Sequence, residues 1–324
     1  MKLHLQYNEP IKTDICVAFC YFNACGYVRS LQNLLFFENK LRAAKIPYFS
    51  AEMVIGDQPP MLASPTLRFH SKSALFYKEA LWNRLEQAIP EQYTKICFLD
   101  SDIIFDRPDW LDAISELLDS HDMVHPFETM SFLDIDYNII SSRKSNICDS
   151  NSWAIGYGYA IKRSFFKNIN GFFDKAILGS GDTYLSMCIN CNNDKEIYIL
   201  SINNYLSSQI IIYKENFQSF NPKVTYLPCS IYHLYHGSHI QRNYVFRYKD
   251  INLDNWDSIF QLNSDGFWEF TDSSMDSLTF NYFKSRKEDL AKYVQTSDTS
   301  IQARPDTKDA ANNPSLISVR SIRK

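Results

Sequence analysis

The segment Lys95-Ile96-Cys97-Phe98-Leu99-Asp100-Ser101-Asp102-Ile103-Ile104-Phe105 is an apolar run broken abruptly by two acids one residue apart. A run this short and this rich in Ile and Phe predicts a buried strand. Asp100 and Asp102 then stand where the strand leaves its sheet. Ligands of open α/β sheets bind there, outside the carboxyl ends of the strands. Two carboxylates so close repel each other unless a cation lies between them. A hard divalent ion, Mn2+ or Mg2+, suits oxygen ligands and can carry substrate phosphates as well. The plain alternative is a pair of acids in an exposed turn.

Outward from this segment, strands and helices alternate. Residues 15–20 predict a first strand. Residues 28–44 carry Val28, Leu31, Leu34, Leu35 and Leu41 at helical spacing and stop before Pro47. Residues 48–54 predict a second strand. Residues 71–88 predict an amphipathic helix capped by Ser71 or Ser73. Beyond the two aspartates, Pro108 is expected to open a helix through residue 118, and residues 123–126 to form a further strand. This βαβαβ order predicts an α/β fold with a mostly parallel sheet and helices on its faces. Farther on, 153–162 has strand character, 164–170 is a short helix ended by Gly171, 183–190 and 204–216 read as helices, and 223–234 as a strand. After Tyr293 no aromatic residue remains. The expected division is one domain over 1–290 and a polar, mobile tail over 291–324.

Composition excludes several classes. With 324 residues, 45% of them apolar and 15% aromatic, the chain has ample material for a core. A net charge of -4 argues against non-specific nucleic-acid binding, which needs a basic field. No stretch approaches the ~20 apolar residues of a membrane-spanning helix, and residues 1–11 lack the apolar region of a signal peptide. The eight cysteines show no framework spacing, and Cys16, Cys20 and Cys97 sit inside apolar runs. They read as reduced core residues, and the expected location is cytoplasmic.

Two further clusters could complete a site with the aspartates. In Ile177-Leu178-Gly179-Ser180-Gly181-Asp182-Thr183 the glycines permit close backbone approach, and Asp182 opens a helix. It could serve as an N-cap or as a general base facing a pocket. The second cluster is His233, His236 and His239, three of the seven histidines. Spacing of three from strand into loop cannot put all three on one ion. His236, beside Gly237, is the best placed single ligand, and a hydrogen-bonded structural histidine is the plain alternative.

The joint pattern resembles a family. Phe98-Leu99-Asp100-Ser101-Asp102 is followed by a small-residue strand, Trp153-Ala154-Ile155-Gly156-Tyr157-Gly158-Tyr159-Ala160. Next come Ile169-Asn170-Gly171-Phe172-Phe173-Asp174, then Gly179-Ser180-Gly181-Asp182, and late in the chain His236-Gly237. This ordered set resembles the glycosyltransferases of the GT-A fold, which use a nucleotide-sugar donor and a DxD metal motif. The Gly171-Phe172 to Gly181-Asp182 region is similar to the catalytic block of the β-1,4-galactosyltransferase and polypeptide N-acetylgalactosaminyltransferase groups. The resemblance covers roughly residues 14–250. One departure is that the family's block commonly ends in Glu-Asp, whereas here Gly181 precedes Asp182.

The resemblance implies a Rossmann-like GT-A domain. It implies transfer of a hexose-type sugar, with inversion, from a nucleotide-diphosphate sugar, on family grounds a UDP-sugar. The acceptor would be a hydroxyl on a glycan, a protein or a lipid-linked molecule, and the cofactor Mn2+ or Mg2+. It makes Asp100, Asp102 and His236 metal ligands, and Asp182 the base. It also puts against the donor Asp100 and Ser101 of the Asp-Ser-Asp motif, Tyr21 and Glu52 at the ends of the first two strands, and Lys78 and Asn83 on the helix before that motif. Arg242 and Arg247 could meet phosphate. Two other readings remain. An apolar strand ending in Asp-x-Asp also opens haloacid-dehalogenase-type phosphatases, but those want Thr or Val where Ile104 stands and an Asp where Ser186 stands. A catalytically inactive GT-A module that binds carbohydrate is the third.

Overall fold

The structure is a computed structural model that describes residues 5–144, 147–148, 156–190, 204–237, 248 and 253–289. Its main sheet has seven strands: β1 (Ile15–Phe22), β2 (Tyr48–Ile55), β3 (Leu67–Ser71), β4 (Lys95–Leu99), β6 (Met123–His125), β9 (Gly158–Lys162) and β10 (Val224–Tyr226). They stand in the order β10-β6-β9-β4-β1-β2-β3. β1 pairs parallel with β2 and β4, β2 with β3, and β10 with β6. Only β9 runs against its neighbours, β4 and β6. The carboxyl ends of β1 to β4 therefore share one edge of the sheet.

Both faces of the sheet are covered, which is why β1 and β4 read as continuous apolar runs and not as alternating ones. Ile15, Val17, Phe19, Cys97 and Leu99 face one core, with α1 (Val28–Ala43) and α3 (Trp110–Ser120). Cys16, Ala18, Ile96 and Phe98 face the other, with α2 (Lys78–Ala88), α4 (Arg163–Asn168), α5 (Gly181–Ile189) and α6 (Asn204–Ser219). Phe98 lies at the centre of the second core. Its ring stands 5.5 Å from Trp82 and 5.2 Å from both Phe166 and Phe172. Truncating such a residue typically costs about 3–5 kcal/mol.

A second sheet, in the order β5-β11-β7-β8, carries the chain away from the aspartates. It consists of β5 (Ile103–Phe105), β7 (Thr129–Leu133), β8 (Ile139–Lys144) and β11 (Ser230–His233). β5 pairs antiparallel with β11, with His233 opposite Ile103. A third, two-stranded ribbon, β12 (Phe260–Leu262) with β13 (Trp268–Phe270), lies between α7 (Trp256–Ile259) and α8 (Asp276–Ser285). Among the described residues no helix is long and apolar enough to cross a membrane.

The expected α/β architecture with a mostly parallel, helix-covered sheet is the one observed. Several elements differ. The helix expected over 71–88 begins at Lys78, and Ser71 ends β3, where its hydroxyl bonds Tyr77 and Glu269. The Leu67-Arg68-Phe69-His70-Ser71 alternation is an edge-strand signal that the helical pattern after it obscures. The single strand expected over 223–234 is two, β10 and β11, in different sheets, because Leu227-Pro228 turns the chain between them. The helix expected from Pro108 begins at Trp110, with Asp109 as N-cap. The start of the strand expected from Trp153 and the tail over 291–324 lie outside the described residues.

Candidate active site

The turn Asp100-Ser101-Asp102 joins the two sheets. It leaves the main sheet at the end of β4 and enters the second at β5, and Asp100 N donates to Tyr157 O at 2.9 Å. Leu234 N donates to Asp102 O at 2.8 Å, continuing the β5–β11 pairing past His233. That register carries both His233 and His236 to Asp102. Asp102 Oδ2 lies 2.8 Å from His236 Nε2 and 3.6 Å from His233 Nε2. The two Nε2 atoms are 3.2 Å apart. Both histidines are buried. One carboxylate oxygen and two imidazole nitrogens thus converge within 4.8 Å of one another, and this is the group of the described residues able to hold a metal ion. The sequence reading allowed one histidine ligand, whereas the geometry offers two. His239, Arg242 and Arg247 lie outside the described residues.

Asp100, expected as a metal ligand, stands outside that group. Its carboxylate meets Lys78 Nζ, at 3.2 Å to Oδ1, from the first turn of α2. Burial raises the Asp100 carboxyl, Lys78 opposes the rise, and Asp102 adds to it. Burial alone would lower the Lys78 ammonium, but Asp100, Glu79 and Asp182 outweigh it and hold the pKa above its ordinary value. One ammonium therefore faces three carboxylates. Burial pushes the Glu79 carboxyl up to about 7; Lys78 opposes this, while Asp182 and Asp100 add to it. Burial thus favours the neutral form of the Glu79 carboxyl, against the pull of the Lys78 ammonium.

Glu79 is the member that the sequence reading missed. Gly181 makes room for it, since a Cβ at Gly181 would lie 2.2 Å from Glu79 Oε1. The signal was the glycine itself, standing where the resembling family has an acid. Asp182 is the second residue of α5, in its first turn; the N-cap position belongs to Ser180. A carboxylate there is favoured by the helix N-terminus, and it lies within electrostatic range of Lys78 and Glu79.

Three other expected donor contacts are built into the fold. Glu52 is 1% exposed. It accepts Met61 N at 2.6 Å and Leu62 N at 3.1 Å, and pairs with Arg68 at 2.8 Å, so its carboxylate secures the loop after β2. Asn83 bonds Phe172 through both its carboxamide atoms, accepting Phe172 N and donating to Phe172 O, each at 2.8 Å. That clamps α2 to the Gly171-Phe172 turn. Tyr21 is buried, and its hydroxyl accepts from Asn23 Nδ2 at 2.9 Å. Ser101 is partly exposed in the turn. A cavity of about 340 Å³ opens instead at the ends of β1, β2 and β3, lined by Ala24, Gly56, Asp57, Lys72, Asp276 and Phe280 among others.

No family model and no curated protein matches the chain. Solved structures of nucleotide-sugar and nucleotidyl transferases do. The catalytic domain of Drosophila β-1,4-galactosyltransferase 7 with xylobiose matches at 15% identity and TM-score 0.32, over 53% of this chain and 59% of that one. A point mutant of the same Drosophila enzyme, with manganese, UDP-Gal and xylobiose, matches at 11% identity and TM-score 0.38, over 91% and 82%. The 4-diphosphocytidyl-2C-methyl-D-erythritol synthase of Anaerococcus prevotii matches at 12% identity and TM-score 0.33, over 70% and 89%. With likenesses this distant, the functional reading rests on the chain's own geometry.

Proposed function

We propose that the protein is a metal-dependent glycosyltransferase that moves a hexose-type sugar, with inversion, from a nucleotide-diphosphate sugar such as a UDP-sugar to an acceptor hydroxyl. The observation that carries this reading is the convergence of Asp102, His233 and His236 at the carboxyl end of β4, beside the Lys78–Asp100 pair and Asp182. The donor set fits a divalent ion: one carboxylate oxygen and two imidazole nitrogens, all within 4.8 Å of one another. Two imidazoles favour Mn2+ over Mg2+, which prefers all-oxygen surroundings. When bound there, the ion supplies Lewis-acid neutralisation of the diphosphate.

The residues around it divide the remaining work. Asp182 accepts the proton of the acceptor hydroxyl. The oxygen so freed forms the new bond to the anomeric carbon as the bond from that carbon to the phosphate oxygen breaks, and the bonding pair leaves with the nucleoside diphosphate. Asp100, held by Lys78, faces the donor sugar or ribose. The cavity at the ends of β1 to β3, with Asp57 and Lys72 in its wall, is the place for the nucleoside, since Glu52 and Asn83 are engaged elsewhere. The acceptor is a glycan, protein or lipid-linked hydroxyl.

A thermal-shift panel of nucleotide sugars, with and without Mn2+, tests the reading. One donor should stabilise the protein only with metal, and slow metal-dependent hydrolysis of that donor should follow. No stabilisation by any nucleotide sugar in Mn2+ would refute it.

A further inference from the structure

The segment after α8 closes over the histidines. Tyr27 Oη donates to Phe283 O and Lys284 O, at 3.1 and 2.9 Å, and accepts Lys287 N at 3.1 Å. Asp289 takes the N-terminus of α1, accepting Val28 N at 3.0 Å and Arg29 N at 2.8 Å. This is N-capping from a residue 260 positions away in the chain. The other side of the segment lies on the His236-Gly237 turn. A Cβ at Gly237 would stand 3.0 Å from Arg286 O and 3.2 Å from the Glu288 Cα, and Gly237 also has φ +94. Only glycine suits both the backbone and the approach.

This seating brings one side chain to the back of His236. Glu288 is 6% exposed, and its Oε2 lies 3.6 Å from His236 Nδ1, an ion-pair contact somewhat longer than a hydrogen bond. Its Oε1 is held by Arg286 Nη2 at 2.8 Å. The other ring nitrogen, Nε2, is the one that meets Asp102 and His233. A histidine that ligates through one nitrogen needs the proton on the other, and a carboxylate there fixes tautomer and ring orientation and strengthens the ligand.

We propose that Glu288 is a positioning residue for the metal site: its carboxylate, 3.6 Å from His236 Nδ1, favours the proton on that nitrogen and so leaves Nε2 for Asp102 and His233, and segment 283–289 carries it into place. The inference rests on the metal reading above and adds to it a residue fifty-two positions past the ligand it orients. Nothing in the sequence around Glu288 marks it.

Calorimetric titration of the intact protein with Mn2+ tests this, on wild type, Glu288→Gln, Glu288→Ala and Asp289→Ala. Outer partners of metal-bound histidines typically contribute about 10–100-fold in affinity. Glu288→Ala should therefore bind Mn2+ about 100-fold more weakly and Glu288→Gln about 10-fold, with thermal unfolding still cooperative. Asp289→Ala removes only the last of the segment's seats and leaves the Tyr27, Arg286 and Gly237 contacts that hold Glu288, so it should stay within about threefold of wild type. In turnover, the Glu288 variants should need more Mn2+ yet recover at saturating metal. If Glu288→Ala does not fold, Glu288→Gln decides. Wild-type affinity in the Glu288 variants overturns the assignment, as does equal weakening in Asp289→Ala, which would make the segment's seat the cause. Absence of Mn2+ binding by wild type would instead refute the metal reading itself, and this inference with it.

Discussion

Asp100 and Asp102 are separated by one residue, yet they face different chemistry. Asp100 turns toward α2, where Lys78 is already within 3.2 Å and Glu79 and Asp182 crowd the same cation. Asp102 turns toward β11, where its near neighbours are two imidazoles. An ammonium neutralises a carboxylate but cannot ligate. Imidazoles leave its charge standing and add donor atoms of their own. The two halves of the motif thus divide into a carboxylate paired with an ammonium and a carboxylate converging with two imidazoles, and only the second offers the donor set that the proposed metal site needs. The difference arises because the turn joins two sheets: Asp100 meets the helix packed on the first, and Asp102 meets β11 and the turn after it in the second.

Four substitutions sharpen or break this division. The largest effect is expected for Asp182→Asn, on the Asp100 side. Turnover should fall by roughly 10²–10⁴-fold, the usual worth of a positioned general base. Mn2+ affinity should not move, and stability should change by less than about 1 kcal/mol. Steady-state rates and a Mn2+ titration on the same preparation check this. Near-normal turnover would remove Asp182 from the chemistry.

Next is the pH dependence of stability in Glu79→Gln. In the folded protein the Glu79 carboxyl stands at about 7 against an ordinary 4.5. Between those values the native state holds a proton that the unfolded chain has lost, so stability declines as pH rises through this window. Over 2.5 units the contribution is about 3 kcal/mol. Glutamine cannot titrate, so the variant should show a flatter stability profile from pH 4.5 to 7 in urea melts. An unchanged slope would mean that Glu79 shares the Lys78 charge after all.

The smallest effects on turnover lie on the Asp102 side, at the two imidazoles, because saturating Mn2+ should restore activity. His233→Ala and His236→Ala should each raise the Mn2+ requirement by at least the ~100-fold expected at the upper end for an outer partner of a metal-bound histidine. If only His236→Ala responds, the site has one histidine, as the sequence spacing alone suggested.

Much of the main sheet was legible because its strands are covered on both faces and so carry unbroken apolar runs. Ile96 to Leu99 is the plainest example. The second sheet was not legible. β5 is a three-residue strand and β8 a largely polar one, and β11 merges in sequence with β10. Their pairing is long-range, and it is that pairing which sets His233 opposite Ile103. The aspartates, Lys78, Asp182 and His236 were candidates by residue type and order, and the fold brings them to the end of β4. Glu79 and Glu288 were not candidates, and His233 was set aside for His236, because each enters through a tertiary contact: a missing side chain at Gly181, a segment pinned by Asp289, and a strand register. Glu52 and Asn83 show the converse case. Both are polar residues near the right strand ends, and both are consumed by backbone groups close at hand.

The division of the motif is tested most directly by titrating Mn2+ into Asp102→Asn and Asp100→Asn side by side, with the wild type as reference. Asp102→Asn removes the only anionic donor of the Asp102–His233–His236 group, and its loss of affinity should exceed the ~10–100-fold of a residue that merely orients a ligand. Asp100→Asn should bind Mn2+ within about threefold of wild type, while its affinity for the donor falls. Equal loss of Mn2+ affinity in the two variants would contradict the account and return both aspartates to one metal site.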